Sequence, residues 1–219
     1  MDRRAFLLTT ASGAASAELL VSCAGRKAKD AVREGAAVVA EGVDIRAKLA
    51  QYVTVKLEGD AATLAPKDKQ VLRLLVDVAK TMDDLFWRQA WGDKDALLAS
   101  AASKDLRRYL EINYGPWDRL DDNKPFVEGA GAKPPGANFY PREMTKAEFE
   151  RQAAGASAAE AAALKSAYTV IQRDGDKLKA VPYSRQYGDL LWPAAARMRE
   201  AAKLAADAGF ANYLNLRAL

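Results

Sequence analysis

Residues 113–142, NYGPWDRLDDNKPFVEGAGAKPPGANFYPR, constrain the fold more than any other stretch. They hold five of the chain's eight prolines, with glycines at 115, 129, 131 and 136. Proline removes a backbone donor and blocks the helix interior, so this segment is no regular helix. Its aromatics (Tyr114, Trp117, Phe126, Phe139, Tyr140) need a surface to pack on, which argues against disorder. A long ordered loop is commonly functional. Asn113, Tyr114, Asp118, Asn123 and Asn138 offer hydrogen-bonding groups, and Trp117, Phe139 and Tyr140 offer groove walls. Two readings stay open: a surface that binds an extended peptide through its backbone, or a strap that closes a helical core.

Helical patterns flank this loop. Val71, Leu75, Val78, Met82 and Leu85 recur at helical spacing, which predicts a helix from Pro66 to Trp91 with a stop at Gly92. Asp93 caps a second helix through Leu97, Leu98, Leu106, Tyr109 and Leu110, ending near Asn113. Thr145-Lys146-Ala147-Glu148 and Ser157-Ala158-Ala159-Glu160 read as capping boxes, and Met144 with Phe149 as a hydrophobic staple. YTVIQ and KLKAV on either side of Asp174-Gly175 predict a hairpin. QYVTVKLE (51–58) alternates as a short strand or extended arm. Helix resumes around Trp192-Pro193 and runs to Asp207, with Gly209 as its stop, and a further helix begins at Phe210. The expected class is α+β, predominantly helical, with a short strand and hairpin component.

Composition then limits the chemistry. Among 219 residues there is no histidine and a single cysteine. This excludes a Ser-His-Asp triad, a Cys-His pair, histidine-bearing zinc sites, an intramolecular disulfide and a CxxC redox pair. The net charge of +4 is spread among interspersed acids and bases, without a basic stripe carrying aromatics, so no nucleic-acid partner is expected. Asp83-Asp84 reads as a polar helix face. Asp118, Asp121 and Asp122 lack the alternating pattern of a calcium loop, and Gly129-Ala130-Gly131 lacks the setting of a phosphate loop.

Residues 1–22 read as an export signal. Arg3-Arg4 before Phe6-Leu7 resembles a twin-arginine motif, and Leu20-Val21-Ser22-Cys23 resembles a bacterial lipobox with Cys23 as the lipidated residue. The implied location is the bacterial cell envelope, held to the membrane by a lipid anchor. Residues 23–42 read as a tether, with order beginning near Val43.

MDDLFWRQAWGDKDALL (82–98), INYGPWDRLDDNKPFVEGAGAKPPGANFYP (112–141) and MTKAEFE (144–150) together resemble the N-terminal region of bacterial dipeptidyl peptidase III-like metallopeptidases. The similarity covers about residues 43–219. Asp122 stands where the family's LDGNKP version carries glycine. The resemblance implies part of one lobe of a two-lobed zinc enzyme that releases dipeptides from peptide N-termini. It also implies a zinc motif, HExxGH or a close variant, beyond the matched region. This chain would then bind no zinc and show no peptidase activity alone, as the front part of a longer enzyme, and the uncapped C-terminus at Leu219 fits truncation. The resemblance marks Asn113, Tyr114, Gly115, Asn138, Phe139 and Tyr140 as candidates for lining the substrate cleft. The alternative is a non-catalytic envelope lipoprotein whose 113–142 loop binds peptides; a purely structural envelope protein is the third reading.

Overall fold

The computed structural model describes residues 36–219. The export signal, Cys23 and the first part of the tether lie outside the described residues. The fold is α+β and mainly helical, with two small antiparallel hairpins. In chain order it contains α1 (Ile45–Leu49), α2 (Pro66–Ala90), α3 (Lys94–Ser100), α4 (Lys104–Asn113), β1 (Trp117–Asp118) and β2 (Lys124–Pro125). There follow α5 (Lys146–Gly155), α6 (Ala158–Lys165), β3 (Thr169–Asp174), β4 (Lys177–Pro182), α7 (Tyr183–Gln186), α8 (Gly188–Leu204) and α9 (Ala208–Arg217).

The chain divides into two compact units. The first holds the described residues up to Val53 together with Trp87–Pro182, and the second holds Thr54–Phe86 and Tyr183–Leu219. In the first unit, α4 buries Leu106, Tyr109 and Leu110 against Trp87, Trp91, Leu97, Leu98, Trp117, Phe126 and Val127. Fully burying each large apolar side chain contributes roughly 1.5–3 kcal/mol. Tyr109 meets the Phe126 ring edge-on at 4.6 Å. A neighbouring cluster packs α5 and α6 onto the β3–β4 hairpin through Phe149, Ala153, Leu164, Ile171 and Leu178. The hairpin pairs Asp174 with Lys177, leaving Gly175-Asp176 as the loop. Gly175 takes φ 58°, the positive value that the first residue of such a two-residue turn requires. Gln152 pins this turn from α5, donating to the Asp176 carbonyl and accepting from Leu178 N–H.

The caps follow the sequence closely. Pro66 opens the 25-residue helix α2. Asp93 caps α3 by accepting from Ala96 N–H, and Ser157–Glu160 forms a complete capping box on α6. Thr145 accepts from Glu148 N–H, but the Glu148 carboxylate is drawn to Arg173, so that box is half made.

Several expectations are corrected. Residues 36–42 of the expected tether are built into the first unit: Ala37 is buried, donates to Ser100 O and accepts from Ala102 N–H. Val39 bridges Val127, so order begins well before Val43. Residues 51–58 form no strand. Val53, Val55 and Leu57 are exposed and pair with nothing in a ladder, because alternation makes a strand only when an edge is available to it. The helix expected from Asp93 to Asn113 is two helices. Ala101 turns extended to bridge Ala37, and Ser103 caps α4 by accepting from Leu106 N–H. Helix α8 starts at Gly188 and holds Pro193 inside it. It stops at Leu204, and Asp207 caps α9, so Gly209 lies in a first turn and is no stop.

Candidate functional site

The candidate residues gather around the last turn of α2 in the first unit. Helix α4 ends on Tyr114, which takes the left-handed conformation at φ 53° and donates to the Glu111 and Leu110 carbonyls. Gly115 follows at φ 145°. A Cβ there would stand 3.3 Å from the Trp117 ring, so glycine fits both the angle and the space. The Tyr114 ring lies 5.0 Å from Trp87, and Trp91 lies 5.5 Å from Trp117. From the other side of the loop, Asn138 donates its backbone N–H to Gln89 O at 3.0 Å and its side-chain amide to Arg88 O at 2.7 Å. These bonds satisfy carbonyls that a helix end leaves without partners. Phe139 O accepts from Ile171 N–H at 2.9 Å, joining the loop to β3. Tyr140 packs on the Phe149 cluster and covers Gly136, where a Cβ would come within 2.2 Å of its ring.

The six candidates therefore divide by burial. Tyr114, Asn138, Phe139 and Tyr140 are half-buried and present part of their surface. Asn113 and Gly115 lie behind it. The Asn113 amide donates to Tyr109 O and accepts from Arg119 N–H, so Asn113 shapes the turn that follows α4. Trp117, read as a groove wall, is core: it is 3 % exposed and its indole N–H donates to Gly131 O.

Below this region lies a charged clamp. Asp118 is buried and accepts from the Lys48 ammonium and from Leu120 N–H. Burial pushes its carboxyl upward, but Lys48, the Tyr109 hydroxyl and Leu120 N–H together hold it below the ordinary value. Lys48 is raised chiefly by its bond to Asp118. Burial and Asp118 push the Tyr109 phenol up, so it stays protonated. Lys48 also reaches Asp121, which Lys124 holds as well. Asp118 and Asp121 thus form a lysine clamp that ties α1 to the β1–β2 turn. The sequence gives no local sign of it, because Lys48 and Asp118 stand 70 residues apart. Arg119 and Lys133 are likewise missing from the sequence-derived candidates. Arg119 sits 5.2 Å over the Tyr114 ring, and Lys133 donates to Asn123 Oδ1 at 2.9 Å.

The donors do not fit a zinc ion. The sequence holds no histidine. Among the described residues no three His, Cys, Asp or Glu side chains gather as a metal-binding group. Nor, among them, is any helix long and apolar enough to cross a membrane.

No family model matches the chain. Two solved structures are similar. The dipeptidyl peptidase III of Caldithrix abyssi is 35 % identical with a TM-score of 0.72, over 79 % of this chain and 34 % of that one. The dipeptidyl-peptidase III of Corallococcus sp. strain EGB is 34 % identical with a TM-score of 0.74, over 80 % of this chain and 34 % of that one. Nudix hydrolase 3 of Arabidopsis thaliana is 27 % identical over 82 % of this chain and 30 % of its own length. The chain therefore spans about a third of the length of each of these relatives. Its fold is that of part of a dipeptidyl peptidase III.

Proposed function

We propose that this chain is the N-terminal portion of a zinc-dependent dipeptidyl peptidase of the dipeptidyl peptidase III type, which removes dipeptides from peptide N-termini. The observation that carries this is the joint match in sequence and fold to two such enzymes over 79 % and 80 % of this chain. Within that reading the chain supplies one wall of a peptide cleft, and zinc and its ligands come from sequence outside these 219 residues. Tyr114, Asn138, Phe139 and Tyr140 are the wall's surface, and Asn113, Gly115 and Trp117 hold its shape. The rigid backing suits the task, since a positioned peptide backbone reaches a catalytic group without further ordering.

In the same reading the protein is exported and tethered to the envelope through Cys23. The motifs around Arg3-Arg4 and Leu20–Cys23 support this. Incorporation of labelled fatty acid that Cys23→Ala abolishes is the expected result.

Isolating the native protein from its source cells, with antibody raised against residues 43–219, tests the enzyme reading. A polypeptide far longer than 219 residues that holds zinc and releases N-terminal dipeptides upholds it. A native protein of this length without such activity overturns it. The absence of histidine then favours the second reading, an envelope lipoprotein that binds peptides through the 113–142 loop.

A further inference from the structure

Residues 53–58, VTVKLE, alternate apolar and polar side chains at the period of a strand. Among the described residues this run joins no helix, ladder or bridge. Val53 is 84 % exposed, Val55 71 % and Leu57 92 %. The Lys56 ammonium pairs with the Glu58 carboxylate. Side chains two residues apart do not face each other on a helix but share one side of an extended chain, so the polar side of the run is already sorted from the apolar one. Each end is held. Tyr52 donates its N–H to Leu49 O at 3.1 Å and sets its ring edge-on to Tyr109 at 6.1 Å. Past the run, Asp60 accepts from Ala62 N–H at 2.8 Å, and Pro66 opens α2.

Strand β4 shows what such a run does when it has a neighbour. KLKAVP (177–182) alternates in the same way, pairs with β3, and leaves Leu178 only 8 % exposed. Leu57 has the same local setting without the neighbouring strand. An unpaired strand with one apolar side adds to a sheet edge, where backbone bonds supply affinity and the alternate side chains fix the register. The two dipeptidyl peptidase III structures match 79 % and 80 % of this chain, which covers 34 % of each of them, so most of each relative has no counterpart here. We propose that residues 53–58 are a docking strand that adds to an open sheet edge in the part of the enzyme outside these 219 residues, with Val53, Val55 and Leu57 covering apolar side chains there. This rests on the reading of the chain as the N-terminal portion of a longer enzyme.

The test is hydrogen exchange over residues 53–58, measured in the native polypeptide from its source cells and in the 219-residue chain. The amides are expected to exchange on the order of 100-fold more slowly in the longer polypeptide, and freely in the 219-residue chain. In the longer polypeptide Val55→Asp, on the apolar side, removes that protection, and Lys56→Ser, on the polar side, keeps it. Fast exchange in an unaltered longer polypeptide overturns the proposal while the enzyme reading stands, and this arm needs no variant to fold. Protection already present in the 219-residue chain and rising with its concentration assigns the strand to a second copy and also overturns the proposal. A native polypeptide of only 219 residues overturns the enzyme reading and the docking strand together, and its length shows this before any exchange is measured.

Discussion

The two units treat their apolar side chains differently. In the first, the large aromatics go inside: Trp87, Trp91, Tyr109, Trp117 and Phe126 form one cluster with Leu106 and Leu110. In the second, the buried cluster is Val71, Ala201, Ala202 and Leu214, three of them small or β-branched. Several of its larger side chains face outward. Val55, Leu57, Trp192, Tyr213, Leu216 and Leu219 are each more than half exposed. Leu74, Leu75, Met198 and Leu204 pack on that cluster only partly buried, and its two alanines contribute less burial than the aromatics of the first unit. The comparison teaches that the first unit carries its own packing, whereas the second is thinly packed for its content of apolar residues.

Four measurements break or sharpen that contrast. The largest effect is expected from Trp117→Ala, because the indole fills the core and its N–H holds Gly131 O. The cost is about 3–5 kcal/mol in urea denaturation. A cost under about 1 kcal/mol would show that the first unit is not the tightly packed one.

Next comes Asp118→Asn, which leaves Lys48 without its main partner. The expected loss is about 3 kcal/mol, the low end for a broken buried pair, because the Lys48 side chain is 22 % exposed. Its pH dependence has a definite sign. The Asp118 carboxyl is held below the ordinary value when folded. Its ionised form therefore stabilises the fold fully above the unfolded value of about 4, and that stability is lost as pH falls through the lower folded value. The difference between wild type and Asp118→Asn in urea midpoint narrows below about pH 4. A difference that is constant across this range rules out the clamp as the cause.

Gly136→Ala is smaller. The new Cβ lies 2.2 Å from the Tyr140 ring and forces that ring off its seat, at a cost of about 1–3 kcal/mol. Tyr140→Ala in the same background relieves the clash, so the double variant loses less than the sum of the singles. Additive losses would mean that Tyr140 does not pack there.

The smallest effect is on the second unit's surface. Leu216→Gln and Trp192→Gln are expected to change stability by no more than about 0.5 kcal/mol, while lowering binding of an apolar dye. A loss near 2 kcal/mol from either would place those side chains in a packed interior and remove the contrast.

Much of the fold was legible because it rests on local rules. Pro66, Asp93, Ser157 and Gly175 each act on backbone within a few residues, and each acts where its chemistry predicts. Two of the misreadings share one cause. Ala37 docks on Ser100 and Ala102, and this long-range pairing both orders residues taken for a tether and breaks a helix taken as continuous. A Gly/Ala-rich stretch shows no amphipathic pattern to announce such a role. Likewise Val53, Val55 and Leu57 have the alternation of a strand without an edge to join.

The candidate site divides in the same way. Asn113, Tyr114, Gly115 and the 138–140 segment could be singled out from residue type alone, because prolines, glycines and aromatics force an ordered and irregular loop. The sequence by itself determined that this loop exists, that helices flank it, and that no histidine in it binds a metal. Only the tertiary structure decided which aromatics are core and which are surface, for Trp117 goes inside while Tyr114 stays half out. It also decided that Lys48 meets two carboxylates whereas Lys133 meets the neutral side-chain oxygen of Asn123. Whether a charge has a counter-charge depends on which distant residues fold against it, and no local spacing encodes that.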